Sequence, residues 1–100
     1  MTTKSTFIYV LRRVNPEPLA KMSQKEEAIV DEHFEYLKKR LTEGKLTLAG
    51  RCIEGEFGIV IFHADSEEQA EDFMKNDPAV KNGVMTAELH PFRIALMETS

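Results

Sequence analysis

Apolar residues alternate with polar ones along some stretches of this chain and recur at helical spacing along others. Residues 5–13, STFIYVLRR, are rich in β-branched and aromatic side chains, which predicts a first strand. NPEP at 15–18 breaks it with two prolines. Ser23 and Glu26 then have the S-x-x-E spacing of a capping box, so a helix starts there, with an earlier start after Pro18 as the alternative. It continues through EEAIVDEHFEYLKKRL, where Val30, Phe34, Leu37 and Leu41 recur at i, i+4, i+7 and i+11 as one apolar stripe. Gly44 is placed to end it as the residue after the C-cap.

A second strand is expected over 45–53, KLTLAGRCI, a tight turn at EGE, 54–56, and a third strand over 57–64, FGIVIFHA, so that the two form a hairpin. Ser66 and Gln69 make a second capping box, and Ala70, Phe73 and Met74 form the inward face of a second helix. Asp77-Pro78 stops that helix. A last strand is expected from Val84 to about Leu96, with Pro91 marking a bulge or a sheet edge. The order βαββαβ predicts a ferredoxin-like α+β fold, a four-stranded antiparallel sheet with both helices on one face. In strand one, Ile8 and Val10 oppose Phe7, Tyr9 and Leu11; in strand three, Val60 and Phe62 oppose Phe57, Ile59 and Ile61. Both faces are therefore apolar, and two helices cover only one. The expected resolution is a homodimer through the sheet face.

A chain of 100 residues with 42% hydrophobic side chains fits one domain with a small core, here taken as residues 1–100. The net charge of −4 argues against a phosphate-binding surface, so no nucleic-acid partner is expected. EGEFGIVIF, 54–62, has the outline of an RNA-recognition signature, but Glu56 stands where a basic residue belongs and Ile59 where an aromatic would stack. The apolar runs FIYVL and IVIF are too short to span a bilayer, and the N-terminus lacks the apolar length and cleavage site of a leader. One cysteine, Cys52, excludes an internal disulfide and fits a reducing compartment; a cytoplasmic location without a membrane partner is the expectation.

Two residues are candidates for chemistry. His33 borders the apolar stripe of the first helix, one turn after Ile29 and one before Leu37. There it is either a boundary histidine bonded to a carbonyl or water, or a general base oriented by a carboxylate. Asp77 before Pro78 has the N-cap and N1 signature of a short helical turn, DPAVKNG, and a capping carboxylate keeps one oxygen free for a second partner. His63 and His90 lie far apart and show no metal-ligand spacing, so no metal or other cofactor is expected. Arg12 and Arg51 are read as strand-end charges, with binding of an acidic substrate as the alternative.

Three stretches resemble the YciI-like (YCII-related) family of the dimeric α+β barrel superfamily: EEAIVDEHFEYLKKRLTEGKLTLAG at 26–50, FMKNDPAVKNGV at 73–84, and HPFRIAL at 90–96. The resemblance implies a homodimer with back-to-back sheets enclosing a barrel-like core. It also implies a histidine–aspartate site, matched by His33 and Asp77. The family often carries a proline after the Ala-Gly of strand two, where this chain has Arg51. Relatives of that superfamily isomerise or eliminate without a metal. The implied function is cofactor-free proton transfer on a small cyclic or aromatic molecule, with a non-catalytic ligand-binding or protein-interaction module as the alternative.

Overall fold

A computed structural model describes residues 5–98; residues 1–4, part of the stretch read for a leader, and 99–100 lie outside the described residues. Four strands, β1 (Ser5–Arg13), β2 (Leu46–Arg51), β3 (Gly58–Ala64) and β4 (Met85–Pro91), form one antiparallel sheet in the order β2-β3-β1-β4. Three helices, α1 (Gln24–Thr42), α2 (Glu67–Lys75) and α3 (Pro78–Lys81), complete the ferredoxin-like α+β fold, with a 3-10 turn at Leu19–Lys21 before α1.

Local chemistry sets most of these boundaries. Ser23 Oγ accepts the Glu26 N–H at 3.1 Å, starting α1, and Ser66 Oγ accepts the Gln69 N–H at 3.1 Å, starting α2. At the end of α1 the Gly44 N–H reaches the Leu41 carbonyl and the Lys45 N–H reaches Arg40, both at 3.0 Å. This is a Schellman motif, and it needs the left-handed φ of +77° that Gly44 adopts. The earlier helix start after Pro18 is realised only as the 3-10 turn.

Register puts Phe7 opposite Phe62 and Tyr9 opposite Val60, so these four side chains share one face of the sheet. They are buried beneath the helices, where Phe62 stacks on Phe73 of α2 with ring centroids 4.2 Å apart and Tyr9 meets Phe62 edge-on at 5.5 Å. Ile8, Val10, Ile59 and Ile61 alternate onto the other face.

Two expectations change. The last strand ends at Pro91, not near Leu96: proline cannot donate to a ladder, and among the described residues only the Phe92 N–H continues pairing, to the Thr6 carbonyl at 2.9 Å. Pro91 does lie on an edge strand, as β4 borders only β1. The apolar stripe of α1 is also displaced. Val30 and Leu37 of the stripe stay inward, but Phe34 is 63% and Leu41 54% exposed, and Glu26, Ile29, His33, Tyr36 and Arg40 turn inward in their place. That inward row places His33 in the middle of the packed face.

Candidate functional site

Asp77 caps α3: its Oδ1 accepts the Ala79 N–H at 3.0 Å, and Pro78 follows at the first helical position. The cap pins the carboxylate where α1, α3 and β1 meet, and it is 0% exposed. The same Oδ1 accepts a hydrogen bond from His33 Nδ1 at 2.6 Å, and Oδ2 accepts the Tyr9 hydroxyl at 2.7 Å. A buried carboxylate is costly to desolvate, and three donors from α1, β1 and α3 offset that cost. The cap and the pairing with His33 are thus simultaneous. Burial, followed by the adjoining negative charge and hydrogen bond of Asp77, pushes the Tyr9 hydroxyl far above the ordinary tyrosine range, so it stays protonated and remains a donor.

The bond to Asp77 fixes the imidazole. A carboxylate only accepts, so Nδ1 carries hydrogen, and in the neutral ring Nε2 is left bare. Nε2 has no hydrogen-bond partner among the described residues. The His33 side chain is 14% exposed and lines a cleft of about 720 Å³ between α1 and the β2–β3 hairpin. The walls there are mostly apolar: Val30, Phe34, Leu37 and Leu41 from α1, Leu46 from β2, Leu19 and Met22 from the segment before α1. The exposed Phe34 and Leu41 are accordingly cleft-wall residues.

Other titratable side chains have different duties. His63 Nε2 lies 2.8 Å from the Thr47 hydroxyl, and exposed His90 pairs with Glu88 on β4 at 2.6 Å. No three His, Cys, Asp or Glu side chains among the described residues converge as metal ligands do. Arg12 lies over the Phe57 ring at 5.3 Å, and Arg51 lines the cleft while remaining exposed. Two residues of the site escape sequence reasoning. Tyr9 reads as an apolar strand residue, its only signal being a hydroxyl in the otherwise hydrocarbon row Phe7-Tyr9-Leu11. Arg13, also in the cleft wall, has no sequence signal beyond its inward parity with Tyr9 and Leu11.

The YCII-related domain matches residues 6–93 of the sequence. The chain belongs to the YCII-related family. The match takes in all four strands and three helices, with His33, Asp77 and Tyr9. Among solved structures, this YCII-related chain resembles 5-chloro-2-hydroxyhydroquinone dehydrochlorinase (TftG) from Burkholderia phenoliruptrix, in complex with 2,5-dihydroxybenzoquinone. The TM-score is 0.60 and the identity 17%, over 87% of this chain and 93% of that one. It also aligns with a dimeric ferredoxin-like protein from an uncultured marine organism, with a TM-score of 0.49 and 12% identity over 98% and 96% of the two chains. No curated protein matches the sequence. The dehydrochlorinase likeness carries the fold. Among the described residues no helix is long and apolar enough to cross a membrane.

Proposed function

We propose that this YCII-related protein is a cofactor-free enzyme in which His33 moves a proton on a small cyclic or aromatic substrate, in an isomerisation or elimination. The observation that carries the reading is the asymmetry of His33: Nδ1 is bound to a carboxylate with no solvent exposure, while the ring lines an apolar cleft. An imidazole held this way presents one fixed basic nitrogen, and the carboxylate stabilises the cation formed when Nε2 takes a proton. In this mechanism a C–H or O–H of the substrate gives its proton to Nε2. Electrons then shift into the ring system, and the same proton returns at another carbon or accompanies the expulsion of a leaving group. Asp77 orients the base, and Tyr9 orients Asp77.

The substrate class rests on the cleft, whose leucine, methionine and phenylalanine walls suit a flat apolar body. The dehydrochlorinase neighbour is named for action on such a ring. The direct test is deuterium exchange from heavy water into a panel of cyclic enols, lactones and hydroxylated aromatics, followed by proton NMR. Catalysed exchange that falls by about 10²–10⁴-fold in His33→Ala supports the reading. Exchange no faster than in buffer across the panel, or unchanged in the variant, contradicts it. A second reading has its own observation, because Asp77 already has structural work as the α3 cap: the cleft then binds a small ligand without turnover.

The proposal includes a homodimer, formed by packing the faces that carry Ile8, Val10, Ile59 and Ile61 against each other, and a cytoplasmic location consistent with the lone cysteine. It takes the chain as one domain and involves neither nucleic acid nor membrane.

A further inference from the structure

We infer that residues 92–98 form an exchange arm, which leaves its own chain and lies as an added strand along the β2 edge of a second copy. This rests on the homodimer proposed above and gives it a second contact, beside the cleft. The sequence FRIALM at 92–97 has the alternation of a strand, yet β4 ends at Pro91. Beyond Phe92 no backbone group of the arm is paired among the described residues. Its apolar side chains are uncovered: Phe92 is 38%, Met97 60% and Leu96 94% exposed. The chain measures 47 × 27 × 22 Å. By their rise per residue α1 is only about 28 Å long and β1 about 30 Å, which fits an arm running on past the sheet.

Register says which way the arm faces. The Phe92 N–H reaches the Thr6 carbonyl, one step past the Phe7–Pro91 pair. Phe92 therefore falls on the face of Ile8 and Val10, and continued alternation puts Ile94 and Leu96 there too. That is the face the proposed homodimer covers, so the apolar side of the arm is continuous with that interface.

The place it fits is the opposite edge of the sheet. β4 borders only β1 and β2 only β3, so both edges are open. They stand three strand spacings apart, about 14 Å, and a single open sheet does not join them. A two-fold axis along the strands reverses the sheet order, bringing β4 of each copy beside β2 of the other. There β2 offers an unpaired backbone row. Leu48, opposite Ile61 and 44% exposed, lies on the interface face, and at Gly50 an added side chain would meet nothing within 4 Å. A strand laid on this edge bonds to the β2 main chain and buries Leu96 with Leu48. Because β2 also lines the His33 cleft, the arm of each copy backs a cleft wall of the other.

The test follows dimerisation by light scattering over a dilution series for wild type, for a chain ending at Pro91 and for Leu96→Glu, with circular dichroism showing that each is folded. Loss of the arm is expected to weaken dimerisation at least about 100-fold, and Leu96→Glu about 10–100-fold. Position is read in mixed dimers of a nitrogen-15 chain with an unlabelled chain that carries a nitroxide at Met97→Cys in a Cys52→Ser background. Broadening of the Leu48 and Gly50 amides of the labelled copy is the expected result. Unchanged dimerisation of both altered chains, or broadening that misses β2, overturns the arm and leaves the sheet-face homodimer standing. A wild-type monomer at all concentrations removes both.

Discussion

Asp77 accepts from a backbone amide, an imidazole and a phenol at once, and each bond has a separable consequence. Asp77→Asn keeps an oxygen for the cap and an amide that can donate toward the Tyr9 oxygen, so the fold survives while the charge beside His33 is lost. Asp77→Ala removes the cap as well, about 0.5–2 kcal/mol, and leaves two donors buried without an acceptor. Urea unfolding of both variants is expected to order them wild type, Asn, Ala, with Ala lowest by several kcal/mol if the losses add. Tyr9→Phe strips Oδ2 of its donor, at a cost of about 1–3 kcal/mol. It also changes the alkaline limb. Because the Tyr9 hydroxyl is raised in the folded state, its contribution is full below the ordinary tyrosine value, about 10, and declines as pH rises above it, where only the unfolded chain ionises. Melting temperatures measured across that range should therefore fall less steeply for Tyr9→Phe than for wild type. Neither the partnership with Tyr9 nor the meeting of His33 and Asp77 can be read from spacing, since 68 and 44 residues separate the partners. The cap on Asp77 can, because capping is a contact between near neighbours.

At the scale of elements, the same division between local and distant causes decides what was legible. The succession of strands and helices, the N-caps Ser23, Ser66 and Asp77 and the glycine stop of α1 follow from residues a few positions apart, whereas the sheet order β2-β3-β1-β4 rests on distant pairings. The inward face of α1 does not, because the cleft leaves Phe34 and Leu41 without a neighbour and polar groups take the packed side. Glu26 illustrates this. Its backbone half of the capping box forms as its position predicts, but its carboxylate leaves the box for Arg13 and Asn15. Arg13 holds that carboxyl below the ordinary range, with Asn15 assisting and burial opposing. A lowered folded value means stability fully present above the ordinary carboxylate value and lost as pH falls through the folded one. On acidification below about pH 4, wild type should lose stability that Glu26→Gln lacks from the outset, so their unfolding midpoints converge in acid.

For the whole molecule, the two faces of the sheet have opposite fates. One is covered by helices and holds the aromatic cluster of Tyr9, Phe62 and Phe73. The other presents the partly exposed Ile8, Val10 and Ile59 to a partner in the proposed homodimer, while Ile61 on the same face is already buried within the chain. Light scattering on the eluting protein should give twice the chain mass. Val10→Lys, placed at the centre of that face, should give a monomer that keeps its far-ultraviolet circular dichroism. A wild-type monomer at all concentrations would remove the sheet-face interface.

The central claim is that Asp77 fixes His33 as a base with Nε2 bare toward the cleft, and the nitrogen shifts of the His33 ring in a long-range proton–nitrogen NMR spectrum read this directly. At a pH where the ring is neutral, the account predicts Nδ1 as the protonated nitrogen and Nε2 as the unprotonated one, with that bias weakened in Asp77→Asn. An Nε2-protonated ring, or the averaged shifts of a freely exchanging imidazole in the wild-type protein, would contradict it.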